Sequence, residues 1–527
     1  MKSQNHSQMT IDAGDFHEEG SENSRAQSEK KSNGRIPAAD VDPGTPVLKS
    51  LPLSVTEWRD PMTSSVGWLV VDRRVNGISG GGVFMWHGAT MEETRGIART
   101  MSKKFAICPQ PIGGAKGGIR CDLKDPAERE GVLRRFLSEM RTELGNRWVT
   151  AGDYGTCDRF VDQTVRQLTG RDMQWALFRL GALDEKRADE LSSRAFDLYQ
   201  VDMSSAFLPP GSPRPKFKVP YIEAAVGYGI VESIVATYAK LEPARLNWEL
   251  PLKDVRIAVQ GAGAVGTGVM LYASRLGAQI VAVSDAEGIV YDSRGLNIEN
   301  LLSVRARNIA ALPEEQQQSA GKLLFRFIPK GGSGKVRLVS NARAESLVSA
   351  DFRHVEPKLA HMLENAPCAN VFVPAASRYI WNATAVEIAS AGMWKGASPR
   401  MLVAGANNVF GAPGSTGSGL PPTNADSEEI LDRMREHRAI YVPDFRANGG
   451  TAQLFHAYAA GELNWILEGA DSGIPVLTQE EQQAALHTIS SRIREAVRGD
   501  LDLCDSTCLD LPFRAEIRVL RQLADLS

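Results

Sequence analysis

The sequence predicts an α/β protein with two main domains, and three observations indicate this. First, a strand of the buried parallel type at 255–260 leads through a glycine-rich turn and a helix into a second apolar strand at 280–285, the order of a βαβ unit in a Rossmann-type domain. Second, strand and helix patterns also alternate earlier, between 66 and 153. Third, a polar and then proline-rich stretch at 184–220 is typical of a connector between domains.

The composition allows this division and excludes several classes of protein. The chain has 527 residues, which is enough for two or three hydrophobic cores. Its 60 Lys and Arg residues nearly balance 63 Asp and Glu residues, so we expect neither nucleic acid nor a membrane surface as a partner. The sequence contains no apolar run of about 18 residues, so we do not predict a membrane-spanning helix. The six cysteines fit no zinc spacing, and the polar N-terminus shows no signal peptide, so we expect free thiols, no metal and a cytoplasmic location.

The first domain is predicted to contain strands and helices in alternation. The strands fall at 66–71, 81–86 and 148–153, and the helices at 92–102 and 128–144. Between the first helix and the second, the residues PQPIGGAKGGIRCD predict a glycine-dense loop.

We place the domain bounds where the composition changes. The polar, aperiodic N-terminus predicts a disordered arm, because it cannot bury enough apolar surface to offset the entropy of ordering. The resulting segments are the arm at 1–48, a first domain at 49–215, a second domain at 216–440 with an insert at 305–350, and C-terminal helices at 441–527.

The turn after the first strand of the second domain carries a dinucleotide fingerprint. Gly261, Gly263 and Gly266 spell G-x-G-x-x-G between a strand and a helix, the context in which this motif is informative. The glycines permit the tight turn, the close approach of a pyrophosphate and the packing of helix on strand. Ala264 and Val265 open the helix, whose free N–H groups can bind phosphate. The alternative is a plain tight turn.

An acidic residue ends the second strand of this unit. Asp285 lies about 20 residues after the glycines, where a carboxylate can hold the ribose hydroxyls. It would repel a 2′-phosphate, so we predict NAD as the cofactor, with NADP not excluded. The alternative is a polar residue that only ends the strand in a turn.

Two charged residues of the first domain suggest acid–base chemistry. Lys116 lies inside GGAKGG, and a lysine in a dry, backbone-lined pocket has a lowered pKa that suits proton transfer near neutral pH. Asp153, in TAGDYGT, could exchange protons with it. Lys104 could pair with a substrate carboxylate. From spacing alone, all three could equally be solvated charges.

The chain resembles the glutamate/leucine/phenylalanine/valine dehydrogenase family. The segments that carry the resemblance lie at 77–86, 101–118, 148–156 and 261–266, with weaker matches at 371–376, 403–408 and 442–450. The resemblance implies a first domain for substrate binding and homo-oligomer assembly, a C-terminal Rossmann-type NAD(P)-binding domain, and last helices that pack back on the first domain. The implied reaction is reversible oxidative deamination of an L-amino acid to a 2-oxo acid and ammonia.

The resemblance also assigns roles to individual residues. Lys104 would hold the substrate α-carboxylate, Lys116 would polarise the substrate carbonyl and activate water, and Asp153 would carry protons to and from the amino nitrogen. Further contacts implied by the family are Gly80, Gly81 and Met101 for the substrate and Ala376 and Asn407 for the cofactor.

Departures from the family pattern bear on the substrate. Glutamate-specific members carry a lysine where this chain has Gly80, and a serine near the position of Leu454 or Phe455. We therefore predict an apolar or aromatic amino acid. The alternatives are glutamate, with Arg446 or another cation as the partner of its side chain; a catalytically idle dinucleotide-binding relative, suggested by Val226 where threonine is usual; and an unrelated Rossmann oxidoreductase.

Overall fold

The computed structural model describes residues 51–525, apart from 109–111, 182–183, 209–214, 216, 246, 248, 286–287, 311–336, 341–354, 356, 414–420 and 469–473. The predicted arm at 1–48 and most of the predicted insert at 305–350 lie outside the described residues.

The first domain is built on a mixed sheet. Its strands are β1 (Ser54–Arg59), β2 (Val66–Val71), β3 (Ser79–Gly80), β4 (Val83–Trp86), β5 (Gly113–Arg120) and β6 (Trp148–Val149). They run in the order β1-β2-β5-β3-β6, and β4 also pairs with β5. The helices of this domain are α1 (Met91–Phe105), α2 (Pro126–Glu139), α3 (Asp158–Thr169), α4 (Trp175–Gly181), α5 (Glu185–Ser192) and α6 (Ala195–Tyr199).

The predicted glycine-dense loop around Lys116 is wrong, because the residues form the buried strand β5. The glycines let helix α1 lie directly on this strand. A Cβ atom on Gly114 would lie 2.2 Å from the backbone nitrogen of Ser102, and one on Gly118 would lie 2.2 Å from Thr94 Oγ1. The glycine content therefore serves close packing of helix on strand rather than a turn.

The second domain is a doubly wound sheet. Its strands are β7 (Arg256–Gln260), β8 (Gln279–Ser284), β9 (Gly288–Tyr291), β10 (Arg337–Ser340), β11 (Val371–Pro374), β12 (Arg400–Val403) and β13 (Ala439–Val442). They run in the order β10-β9-β8-β7-β11-β12-β13, and the five from β8 to β13 are parallel. The helices are α7 (Tyr221–Leu241), α8 (Ala264–Arg275), α9 (Ile298–Ala310), α10 (Pro357–Asn365), α11 (Ala383–Ala391) and α12 (Asn424–Glu436). The predicted two-domain α/β fold is confirmed.

The C-terminal helices connect the two domains. They are α13 (Asp444–Ala447), α14 (Gly450–Ala459), α15 (Asn464–Glu468), α16 (Gln479–Leu501) and α17 (Leu511–Asp525). Helix α16 starts with a capping box at Thr478 and packs on α7, while α17 lies on α1. Lys103 of α1 pairs with Glu516 of α17 at 2.6 Å. Within the described residues, no helix combines the length and the apolar character that crossing a bilayer requires.

Helix α7 fixes the position of the dinucleotide fingerprint. It crosses α8 so closely that a Cβ atom on Gly227 would lie 2.5 Å from the backbone of Gly268. Glycine at both positions allows this contact, which holds the N-terminus of α8 against the long helix that begins the second domain.

Candidate active site

An ion pair between a buried lysine and a partly exposed aspartate lies at the centre of the candidate site. Lys116 projects from β5 and is 3% exposed, and its Nζ contacts Oδ2 of Asp153, in the loop after β6. This loop is held in place because the backbone nitrogen of Asp153 donates to Thr156 Oγ1 at 2.8 Å, and that hydroxyl donates to the carbonyl of Val83 at 2.7 Å. The aspartate is therefore fixed on both its backbone and its carboxylate.

The charge on Asp153 is set by two cations. Burial alone would raise the pKa of its carboxyl group, but Lys116 and Arg378 outweigh this effect and hold the pKa well below its ordinary value. Asp153 is thus ionised at neutral pH and can accept a proton. A lysine and an ionised carboxylate in contact form a proton-transfer pair suited to general acid–base chemistry.

Lys104 supplies a second buried cation at the boundary of the two domains. It is 5% exposed, and its Nζ donates at 2.7 Å to Oδ1 of Asn407, which follows β12. Asn448 donates to the same oxygen at 3.1 Å. Burial is the main cause that lowers the pKa of Lys104 to about 8; Asp444 opposes the change, and Lys116 adds a smaller effect in the same direction as burial. A buried ammonium held by a neutral amide is suited to bind a carboxylate.

Apolar side chains enclose the position of Gly80. A Cβ atom there would lie 2.7 Å from Ile112 Cδ1 and 2.8 Å from Phe105 Cζ. Phe105 in turn stacks on Phe455 of α14, with ring centroids 6.2 Å apart. The surroundings of Gly80 are therefore aromatic and aliphatic.

Gly81 lies next to these apolar side chains, and its backbone conformation requires glycine. Its φ is +152°, and a Cβ atom on it would lie 1.8 Å from the carbonyl oxygen of Ala115, so this position excludes any other residue. Met101 is buried next to it, with Cγ 3.4 Å from the same Cβ position. The predicted substrate residues Gly80, Gly81 and Met101 thus lie together.

The glycine turn of the second domain fits a dinucleotide. Gly261 has a φ of +105°, and a Cβ atom on Gly266 would lie 1.8 Å from the carbonyl oxygen of Gly261, so both glycines are required by the turn. Gly263 caps α8 without a side-chain bond, and no atom lies within 4 Å of its Cβ position. The helix start at Ala264 and Val265 therefore has space beside Gly263 in which a phosphate can approach it.

Comparison with known proteins agrees with this architecture. Residues 53–169 match the family profile "Glu/Leu/Phe/Val dehydrogenase, dimerisation domain", and residues 221–378 match "Glutamate/Leucine/Phenylalanine/Valine dehydrogenase". Together the two profiles cover just over half of the chain. The chain belongs to this family. The resemblance inferred from the sequence motifs is confirmed.

Curated relatives of this dehydrogenase family member are known from archaea. Glutamate dehydrogenase B of Halobacterium salinarum is 30% identical over 251 residues, which are 46% of this chain and 50% of the relative. NAD-specific glutamate dehydrogenase A of the same organism is 27% identical over 255 residues, or 46% and 49% of the two chains. The matching region thus spans about half the length of these relatives.

Solved structures share the fold over most of the chain. Hetero-hexameric glutamate dehydrogenase from Thermus thermophilus, in a leucine-bound form, has a TM-score of 0.54 at 20% identity and covers 90% of this chain and 89% of its own. Glutamate dehydrogenase of Plasmodium falciparum has a TM-score of 0.56 at 15% identity and covers 90% and 84%.

The residues predicted to bind the cofactor have neighbours in the structure that the sequence did not predict. Asp285 is 5% exposed, and its Oδ1 accepts a bond from the backbone nitrogen of Gly288 at 3.0 Å. Lys358 of α10 donates to the carbonyl oxygen of Asp285, so a cation accompanies the acid at the end of β8. Ala376 lies against the turn, with Cβ 2.6 Å from the Cβ position of Gly261. The preference for NAD stays a prediction.

Arg446 is not available as a partner for a substrate side chain. It is 1% exposed, and its Nε and Nη2 donate to the fully buried Asp500 at 2.7 and 3.1 Å. Arg518 adds a second contact to Asp500 at 3.3 Å. The suggestion that Arg446 replaces the missing lysine is therefore wrong, because its charge is already neutralised inside the helical core.

Arg378 is the cation of the site that sequence reasoning missed. It follows β11 in the second domain, yet its Nη1 lies 3.0 Å from Oε1 of Glu93 in the first domain. Its guanidinium also lies over the ring of Phe84, 4.6 Å from the centroid. A lone arginine in a loop gives no local signal, and only the contact between the domains identifies it.

Proposed function

We propose that this chain is an NAD(P)-dependent amino-acid dehydrogenase that oxidatively deaminates an L-amino acid to a 2-oxo acid and ammonia. The observation that carries the proposal is the ion pair of the buried Lys116 with Asp153, near the buried Lys104, which contacts Asn407 of the second domain. Retention of these groups opposes a catalytically idle relative.

Each residue has a role that follows from its surroundings. Lys104 binds the substrate α-carboxylate, because it is a buried cation that donates to a neutral amide at Asn407 and forms no ion pair within the part of the chain that the structure describes. Asp153 carries protons to and from the substrate amino group, because its ionised carboxylate lies in contact with Lys116, with which it can exchange protons. Lys116 stabilises the oxygen that water adds to the carbon and moves protons to and from that water. When bound, the dinucleotide supplies the hydride acceptor.

Two substrate classes have separate support. The relatives named above are glutamate dehydrogenases, and this favours glutamate. The packing of Gly80 against Phe105 and Ile112, together with the buried Leu454, favours an apolar or aromatic amino acid. A substrate side-chain carboxylate placed against these apolar side chains would lose its hydration without gaining a cation or a hydrogen-bond donor. The apolar substrate stays a prediction, and the names of the relatives back glutamate better.

The experiment that tests the function is a turnover assay over a panel of L-amino acids with NAD and with NADP, followed through the reduced dinucleotide. Turnover should fall by orders of magnitude in Lys116→Ala with the fold retained, while Lys103→Ala, which removes a neighbouring cation outside the site, should keep it. If no amino acid is oxidised although dinucleotide binds, or if Lys116→Ala remains active, the proposed reaction is wrong.

We also propose that the chain forms a homo-oligomer through its first domain. Support comes from the match of residues 53–169 to a profile described as a dimerisation domain. Light scattering on the purified chain tests this, and a monomer at micromolar concentration would contradict it.

A further inference from the structure

Arg378 brings a positive charge from the second domain into the centre of the first. Its side chain is 14% exposed and its partner Glu93 is 3% exposed, so the pair is shielded from solvent. Glu93 is itself held by Trp86, whose Nε1 donates to Oε2 at 3.0 Å. Both oxygens of the glutamate are thus engaged, one by each domain.

The loop that carries Arg378 is held in an unusual conformation. The next residue, Tyr379, has a φ of +54°, which a bulky side chain rarely adopts. Its backbone nitrogen donates to the carbonyl of Asn408 at 2.9 Å, and Asn408 is also left-handed, with a φ of +50°. Strain of this kind persists only where the surroundings enforce it, and here it aims Arg378 at the other domain.

Arg378 also acts on the catalytic carboxylate without touching the reacting atoms. After Lys116, Arg378 is the cation that lowers the pKa of Asp153 most. The two cations come from different domains, so the charge around Asp153 is complete only when the domains are together. An ion pair that served stability alone could lie elsewhere on the first domain. The pair of Lys103 with Glu516 of the C-terminal helix α17 is an example.

We propose that Arg378 is a positioning residue that pairs with Glu93 across the cleft, holds the two domains together around Asp153 and completes the charge of the catalytic site. This inference rests on the proposed function for its kinetic consequences. The pairing itself can be tested without turnover, so the two can fail separately.

The first experiment follows the fluorescence of Trp86 against pH in the chain without substrate. Among the described residues, the groups facing Glu93 are Arg378, Trp86, Asp153, Tyr379 and the backbone of Thr90. Burial raises the pKa of Glu93 and Arg378 opposes this, so Arg378→Gln should move the Trp86-dependent transition upward by about one pH unit.

Two controls isolate this signal. A chain with Trp86→Phe gives the background of the other tryptophans. The series is measured with His87→Gln present throughout, because the His87 ring lies 5.1 Å from that of Trp86 and its contact would contribute to the fluorescence signal. An unchanged transition in Arg378→Gln would overturn the pairing.

The second experiment separates positioning from structural support. In Arg378→Gln, kcat should fall about tenfold or more with KM for the amino acid within about threefold, since misplacing a catalytic group by about an ångström costs up to about a hundredfold. Arg378→Lys should recover most of the loss, because it restores the charge. The matched control Lys103→Gln also breaks an ion pair of helix α1, here with Glu516 of the C-terminal helix α17, and should keep kcat within about threefold. Equal losses in Arg378→Gln and Lys103→Gln, or a change in KM alone, would overturn the positioning role.

Discussion

Replacing Lys104 with methionine should stabilise the folded chain near neutral pH while it removes amino-acid binding. Burial lowers the pKa of this lysine from 10.5 to about 8, with Lys116 acting in the same direction. At 1.36 kcal/mol for each pKa unit, the native state disfavours the charged ammonium by about 3 kcal/mol. Methionine is of similar length and carries no charge, and Asn407 Oδ1 keeps its bond from Asn448 at 3.1 Å.

The sign of the pH dependence follows from which state holds the proton. Below pH 8 the Lys104 ammonium is charged in both states, and the cost of burying it is present in full. Between pH 8 and 10.5 the unfolded chain keeps a proton that the folded chain releases, so the stability of the wild-type chain rises with pH. The gain from neutral pH to about pH 9.5 is about 2 kcal/mol.

The measurement is urea unfolding of the wild type, Lys104→Met and Lys103→Met at neutral pH and near pH 9.5. At neutral pH, the free energy of unfolding of Lys104→Met should exceed that of the wild type by up to about 3 kcal/mol. At the higher pH, this difference in unfolding free energy should be smaller by about 2 kcal/mol. Lys103→Met loses the pair with Glu516 and the contact of its ammonium with the Phe445 ring, so it should be destabilised by about 1 kcal/mol, and this loss should not change between the two pH values. A Lys104→Met chain that is less stable than the wild type at neutral pH, or a difference that does not change with pH, would refute the reasoning.

Other predictions concern the dinucleotide turn and the helical core. Gly263→Ala should keep Tm, because its Cβ enters open space, and should weaken dinucleotide binding in calorimetry, because that space is where the pyrophosphate approaches. Gly266→Ala should lower the free energy of unfolding by about 1–3 kcal/mol, because its Cβ would lie 1.8 Å from the carbonyl oxygen of Gly261. Equal effects of the two changes would contradict this. Arg446→Leu should cost about 3–5 kcal/mol in urea unfolding, because it removes the bidentate partner of the buried Asp500, and a smaller loss would show that the aspartate is neutralised in another way.

The second domain could be predicted from sequence because its signals are local. A buried strand, three glycines at fixed spacing and a following apolar strand are contiguous, and the strands predicted at 255–260 and 280–285 lie at Arg256–Gln260 and Gln279–Ser284 in the structure. The capping box at Thr478 is equally local. Signals of this kind depend on neighbours along the chain and are therefore visible in a single sequence.

The error at Lys116 has the opposite cause. Glycine has no side chain, so a strand composed of glycines shows no alternation of apolar and polar residues and reads as a loop. What makes β5 a strand is its pairing with β2 and β4 and the contact with α1, all of which are distant in sequence. Arg378 was not predicted, and Arg446 was suggested as a partner of the substrate, for the same reason. Their true partners, Glu93 and Asp500, are distant along the chain.

The same long-range contacts sharpen the question of the substrate. With Arg446 neutralised by Asp500, a glutamate side chain would need another cation, and Arg378 is the one that reaches the site from the second domain. If Arg378 bound that side chain, Arg378→Gln would raise KM for glutamate and leave apolar amino acids unaffected. If it positions the site, the same change lowers kcat for every substrate. Steady-state kinetics of this one variant, with glutamate and with leucine, therefore decides between specificity and positioning, because only direct contact with the substrate can make the loss depend on the side chain.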